Sequence, residues 1–165
     1  MLPGVSGTAG DDLEPRDVAD LVSAFADDYE TVVVEAEIGD HARLGPALFR
    51  RAGTVIGVGA ADPSGVARLL TWRARVTELS VGAPVWLAVN RAPRDRYRRA
   101  QLVTELGPDE RVTFLPDDDR VTSSAWNGTL VPLGPFVVAV RALVDRAVAA
   151  PPTRRRRRSH RGGRR

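Results

Sequence analysis

The chain has 165 residues, 43% of them apolar and 27% charged, which fits one ordinary globular domain with a single hydrophobic core. It contains no cysteine, and this excludes disulfides, thiolate metal sites and cysteine nucleophiles. All 24 basic residues are arginine, so the chain supplies neither a phosphate-loop lysine nor a Schiff-base lysine.

The charge is distributed unevenly along the chain. Residues 151–165 contain eight arginines, whereas residues 1–150 carry a net charge of −5. We see no signal peptide and no apolar run of about 18 residues, so we expect a cytoplasmic protein. We divide the chain into a flexible lead-in (1–11), one α/β domain (12–150) and a disordered tail rich in proline and arginine (151–165).

The first predicted element is a helix that begins near Pro15, with Asp12 as its candidate cap, and ends at Asp27 and Asp28. Its apolar face is formed by residues at three- and four-residue spacing, namely Val18, Leu21, Val22 and Phe25.

A continuous apolar run then predicts a strand buried on both faces within residues 29–40 (YETVVVEAEIGD). This strand would carry Glu35 and Glu37 to the carboxyl edge of a sheet, where open α/β folds bind ligands. The carboxylates are therefore candidate metal ligands or catalytic groups, and the alternative is that both are solvated residues at a strand end.

Strands and helices alternate in the rest of the chain. We predict strands over 54–59, 84–89 and 112–115, and helices over 42–52, from Pro63 to about Leu79, 93–106 and 135–149. The helix over 93–106 is expected to place Tyr97, Ala100, Val103 and Leu106 on one side. Asp62 is the expected cap of the helix that follows it. This alternation predicts an α/β fold with a mostly parallel sheet between layers of helices.

The order of the strand ends resembles the MinD/ParA family of P-loop ATPases, most nearly its CpaE-like branch. The resemblance runs from Pro15 to Ala149 and rests on YETVVVE (29–35), the turn at Gly39, AGTVIGV (52–58), AVNR (88–91), LPDD (115–118) and AWNG (125–128). The glycine- and lysine-rich phosphate loop of that family is missing, so the match begins about where the second half of such a domain would begin.

The resemblance implies ATP and Mg²⁺ as cofactors. Glu35 would occupy the place of the Walker B aspartate near the magnesium, with one methylene more. The implied nucleotide-binding residues are Gly39 in the switch turn, Asn90 against the adenine edge with Arg91 beside it, and Pro116 and Asp117 in the loop that closes over the base. Without a phosphate loop, we expect no hydrolysis by this chain alone.

Simpler interpretations compete with these roles. Asn90 is also the kind of residue that forms a turn by bonding its side chain to its own backbone. The acidic run Asp117–Asp119 is expected to be a solvated turn, because successive residues do not converge on one cation. Arg73, within an apolar helical face, is expected to reach a rim with its charged end.

The tail residues Arg154, Arg155, Arg156, Arg157 and Arg158 form a candidate polyanion-binding segment for DNA or an anionic membrane surface. The alternative is a solubilising tail. Binding there would place the protein at the membrane periphery or on the nucleoid.

Two functions therefore remain open from the sequence. The chain is either the C-terminal part of a MinD/ParA/CpaE-like ATPase, or a non-catalytic module that binds protein, membrane or nucleic acid and carries an arginine-rich tether. Because the phosphate-loop strand is absent, we expect Thr31–Val34 to be unpaired or to pair differently. We expect the chain to be marginally stable, to form a homodimer or to need a missing N-terminal half.

Overall fold

Three strands and six helices make up the part of the chain that the computed structural model describes, which is residues 14–36, 45–79, 82–107, 111–131 and 133–149. Their bounds, in chain order, are α1 Pro15–Asp28, α2 Gly45–Arg51, β1 Val55–Ala60, α3 Pro63–Leu79, β2 Val85–Ala92, α4 Arg96–Leu106, β3 Val112–Pro116, α5 Asp119–Trp126 and α6 Pro135–Ala149. The predictions for the lead-in, the Asp12 cap, Glu37, Gly39 and the arginine tail concern residues outside the described ranges.

The strands form a parallel sheet in the order β1-β2-β3. Val55 pairs with Val85 and Ala60 with Asn90, so β1 and β2 end at the same edge. The central strand β2 is buried along most of its length, as its apolar sequence requires. The prediction of an α/β fold with a parallel sheet flanked by helices is confirmed.

Helices cover both faces of this sheet. Leu87 and Val89 of β2 lie in one core cluster with residues of α3 and with Leu106 of α4. The alternate residues Trp86 and Ala88 lie in a second cluster, which they share with α6 through Leu143 and Ala147. Successive strand residues point to opposite faces, and this alternation produces the three layers.

The contact between β1 and α3 is close because glycines line it. A Cβ at Gly57 would overlap the ring of Trp72, and one at Gly65 would overlap the carbonyl oxygen of Ala60. The helix begins there as predicted: the Asp62 carboxylate accepts a hydrogen bond of 2.8 Å from the backbone N–H of Gly65. This contact fixes the first turn of α3 at the carboxyl edge of the sheet.

The predicted strand within residues 29–40 is wrong as far as it is described. Residues 31–36 belong to no helix or strand, and no described strand pairs with them. The side chain of Val33 is 89% exposed, so the apolar run is not buried. Whether Thr31–Val34 is unpaired or pairs differently stays a prediction, because no strand is described there.

Two further predictions need correction. The first concerns α5, since Asp119–Trp126 forms a helix and none was predicted between the strand over 112–115 and the helix over 135–149. The second concerns α4, of which Leu106 is buried as expected, whereas Tyr97, Ala100 and Val103 are exposed. The helices that follow β2 and β3 therefore differ from what the sequence predicted.

Candidate functional site

The carboxyl ends of the strands bring several predicted site residues to one edge of the sheet. The backbone N–H of Ala61, just beyond β1, donates to the carbonyl of Asn90 over 2.9 Å. Ala92 of β2 pairs with Pro116 of β3. Asn90, Arg91, Pro116 and the following Asp117 therefore lie at one edge, as the sequence predicted for open α/β folds.

Asn90 uses its side chain on the local backbone. Its Oδ1 accepts a hydrogen bond of 2.9 Å from the N–H of Arg91. Arg91 has a φ of 55°, which is uncommon for a residue other than glycine, and the strand pairing is irregular between Val89 and Ala92. The Asn90 side chain therefore bonds to the adjacent backbone, as the alternative interpretation expected, but Asn90 lies within β2 rather than in a turn. Its role against an adenine edge stays a prediction.

The loop after β3 is held by an ion pair rather than being a simple solvated turn. Asp118 Oδ1 accepts from Arg120 Nε over 2.8 Å, and Oδ2 accepts from Arg120 Nη2 over 2.9 Å. The Asp118 side chain is only 7% exposed, and its carboxylate also caps α5 through the Arg120 N–H. The predicted solvated turn is therefore wrong at Asp118, although Asp117 and Asp119 are exposed.

The pKa values of this pair shift in opposite directions. Hydrogen bonds from Arg120 hold the pKa of the Asp118 carboxyl below its ordinary value, and the backbone N–H of Phe136 adds to the effect. The same carboxylate raises the pKa of Arg120. Both groups are charged at neutral pH, so they connect the end of β3 to α5 and to the start of α6.

Glu35 does not form a magnesium site with the described residues. It is exposed and lies in residues 31–36, which belong to no described strand of the sheet. Among the residues described, no three histidine or acidic side chains are grouped so that they could hold a metal ion. Since Mg²⁺ needs several oxygen ligands, the residues at hand do not fit the ion that the resemblance implies.

A basic stretch at the carboxyl edge was not recognised in the sequence. Residues 91–99 (RAPRDRYRR), here called the basic stretch, contain five arginines and one acidic residue, Asp95. They run from the last residues of β2 into the first turn of α4. Five arginines among nine residues is a signal that could have been found, but the negative net charge of residues 1–150 concealed it.

A groove of about 770 Å³ lies at the other end of the strands, where β2 and β3 begin. Its lining includes Arg73, Glu78, Val85 and Arg111, and none of the predicted nucleotide-binding residues. Arg73 is half-buried there and donates to the carbonyl of Leu106 over 3.3 Å, as expected for a side chain that reaches a rim.

Comparisons with protein-family models, with curated proteins and with solved structures gave no match. Within the described ranges no helix has the length and apolar character needed to cross a membrane. The arguments about function therefore rest on the residues and on the geometry described above.

Proposed function

We propose that this chain is a non-hydrolysing part of a MinD/ParA-like ATPase scaffold, which associates with a further polypeptide at the free edge of its sheet. The proposal combines the order of the strand ends in the sequence with one structural observation, the open edge of β1. The chain would act by binding, and any ATP turnover would require a phosphate loop from elsewhere.

The observation that carries the proposal is the unpaired side of β1. Val55 and Ala61 direct their N–H groups at β2, with hydrogen bonds of 3.0 Å and 2.9 Å. Because backbone groups alternate along a strand, the N–H groups of Ile56, Val58 and Ala60 point away from β2, where no described strand lies. Such an edge is a template for another strand.

The side chains of β1 support the same proposal. Val58 is 64% exposed and Ile56 is partly exposed, on the face of the sheet opposite α3. The run Thr31–Val34, exposed except for the half-buried Val32, adds β-branched residues that no described strand pairs with. An edge and an apolar face that are both open are typical of a surface that another polypeptide covers.

The experiment is an assay of ATP turnover and binding with the purified full chain and Mg²⁺. We expect no hydrolysis above the buffer rate, and we expect Glu35→Gln to behave like the parent chain because Glu35 has no metal partners in the described part. Titration calorimetry separates nucleotide binding from turnover. Hydrolysis that Glu35→Gln abolishes would refute the proposal.

The second candidate function is a polyanion tether, and the eight arginines of residues 151–165 favour it. DNA or an anionic membrane surface would attract this segment, with a strong dependence on salt. Affinity for DNA at low and moderate salt, with and without residues 153–165, tests it. Affinity that does not change on deletion would count against the tether.

A further inference from the structure

We propose that the basic stretch 91–99 binds single-stranded nucleic acid, with arginines on the phosphates and Tyr97 stacked on a base. This site is separate from the arginine tail and from the free edge of β1, and it does not depend on the proposed function. Three observations support it: charges without partners, an exposed aromatic ring among them, and their place at the carboxyl edge.

The arginines of the stretch divide into two groups. Arg98 lies 4.0 Å from the Asp95 carboxylate, and Arg99 lies over the ring of Phe114 at 5.5 Å. The side chains of Arg91, Arg94 and Arg96 make no hydrogen bond or ion pair within the described part of the chain. Three guanidinium groups are thus available for phosphates, which they bind with matching geometry.

Asp95 offsets only one of the five positive charges of the stretch, and its carboxylate also has a structural role. It accepts a hydrogen bond of 2.9 Å from the backbone N–H of Tyr97 and so caps α4. A negative charge at that position stabilises the helix start. The remaining groups of the stretch present a positive surface between the end of β2 and the first turn of α4.

Tyr97 indicates which polyanion is bound. Its side chain is 72% exposed, and it belongs to none of the core clusters. An exposed ring between arginines can stack on an unpaired base, whereas the bases of a duplex are already stacked on one another. A membrane surface is less well matched, because Tyr97 is the only large apolar side chain of the stretch that is strongly exposed.

The test measures affinity by fluorescence anisotropy, with the full chain and a labelled oligothymidine of about ten nucleotides, within the usual site size. Tyr97→Ser removes the ring without changing the charge. We expect it to weaken single-strand binding by about 5- to 100-fold, as loss of one stacked base predicts, and to leave duplex binding unchanged. All variants retain residues 151–165, so the contribution of the tail is the same in each.

A matched pair of double substitutions tests the charges. Arg94→Gln with Arg96→Gln should lower the salt slope of single-strand binding by about 1.4, since each lost phosphate contact changes it by about 0.7. Arg68→Gln with Arg75→Gln removes the same charge from exposed positions of α3 and should leave the slope nearly unchanged.

Three results would overturn the site. The first is that Tyr97→Ser leaves single-strand affinity intact, and the second is that it weakens duplex binding equally. The third is that it reduces binding to phosphatidylserine vesicles but not to the oligonucleotide, which would assign the stretch to a membrane surface. Thermal unfolding of each variant shows that its fold is intact.

Discussion

Asp118 is the residue whose charge is coupled most clearly to the fold. Its carboxyl has a pKa below the ordinary 3.8, because Arg120 donates hydrogen bonds to the ionised form. A lowered pKa means that the carboxylate stabilises the folded state at pH above 3.8, and that this stabilisation is lost as the pH falls through the lowered pKa. We expect Asp118→Asn to lower the urea midpoint at neutral pH and to reduce the loss of stability below pH 3.8.

Asp117→Asn is the control for this substitution, because Asp117 lies in the same loop and is exposed. Urea unfolding of the three chains at neutral pH and below pH 3.8 measures the effect. A pH dependence that is the same in Asp118→Asn and the parent chain would mean that the ion pair does not stabilise the fold.

Gly57 is a second residue at which adding one carbon atom, a Cβ, should change the stability of the fold. An added Cβ would overlap the ring of Trp72, which packs on β1 from α3. We expect Gly57→Ala to destabilise the protein by about 1–3 kcal/mol, as overpacking of a core does. Gly53→Ala is the control, since a Cβ at Gly53 meets no atom within 4 Å. Equal urea midpoints for the two variants would contradict the close contact.

Local signals in the sequence were sufficient for some residues and not for others. Asp62 was predictable as a cap, because capping depends on the residues next to it. The Asp118–Arg120 pair was not, since its burial depends on Gly134 and Phe136, which α6 brings back to the loop. The sequence shows which residues can ionise, but tertiary contacts decide which of them are buried.

At the scale of elements, α4 shows how a regular spacing can mislead. Tyr97, Ala100, Val103 and Leu106 recur every third residue and were predicted to share one face. A helix has 3.6 residues per turn, so the nine residue-to-residue steps from Tyr97 to Leu106 make about two and a half turns and place these two residues on opposite sides. Only Leu106 reaches the core, together with the half-buried Leu102.

This arrangement predicts the cost of truncating each side chain. Leu106 is 1% exposed and Val103 is 40% exposed. We expect Leu106→Ala to cost about 2–5 kcal/mol of unfolding free energy and Val103→Ala less than about 0.5 kcal/mol. Urea unfolding of both variants measures the difference. Similar losses of unfolding free energy in the two variants would instead support one apolar face that contains both residues.

The remaining elements differ in how far their secondary structure depends on contacts with other segments of the chain. Helices α1, α3 and α6 and the three strands lie within a few residues of their predicted bounds. Their burial follows the apolar pattern less closely, since Leu21 of α1 and Val58 of β1 are exposed. The run Thr31–Val34 has high strand propensity, but a strand also requires a neighbour, and no described strand pairs with it. The predicted metal-binding role of Glu35 has the same dependence, because it required a strand within residues 29–40 to carry Glu35 to the sheet.

At the scale of the whole molecule, helices lie on both faces of the sheet, and no described strand pairs with β1 at its open edge. The N–H groups of Ile56, Val58 and Ala60 point to that open edge, whereas those of Gly57 and Gly59 point to β2. We expect the first three amides to exchange hydrogen quickly in dilute protein and the other two to be protected. At high protein concentration, or with a binding partner, protection should extend to all five.

Substitutions can show whether association uses this edge. Val58→Lys places a charge on the open face of β1 and should lower the apparent mass in light scattering at high concentration, because a charge at a strand edge opposes pairing. Val148→Lys places the same charge at a similarly exposed position on α6 and should have no such effect. Rapid exchange of Ile56, Val58 and Ala60 at every concentration, with a constant monomer mass, would show that β1 is a stable free edge and that the chain does not associate there.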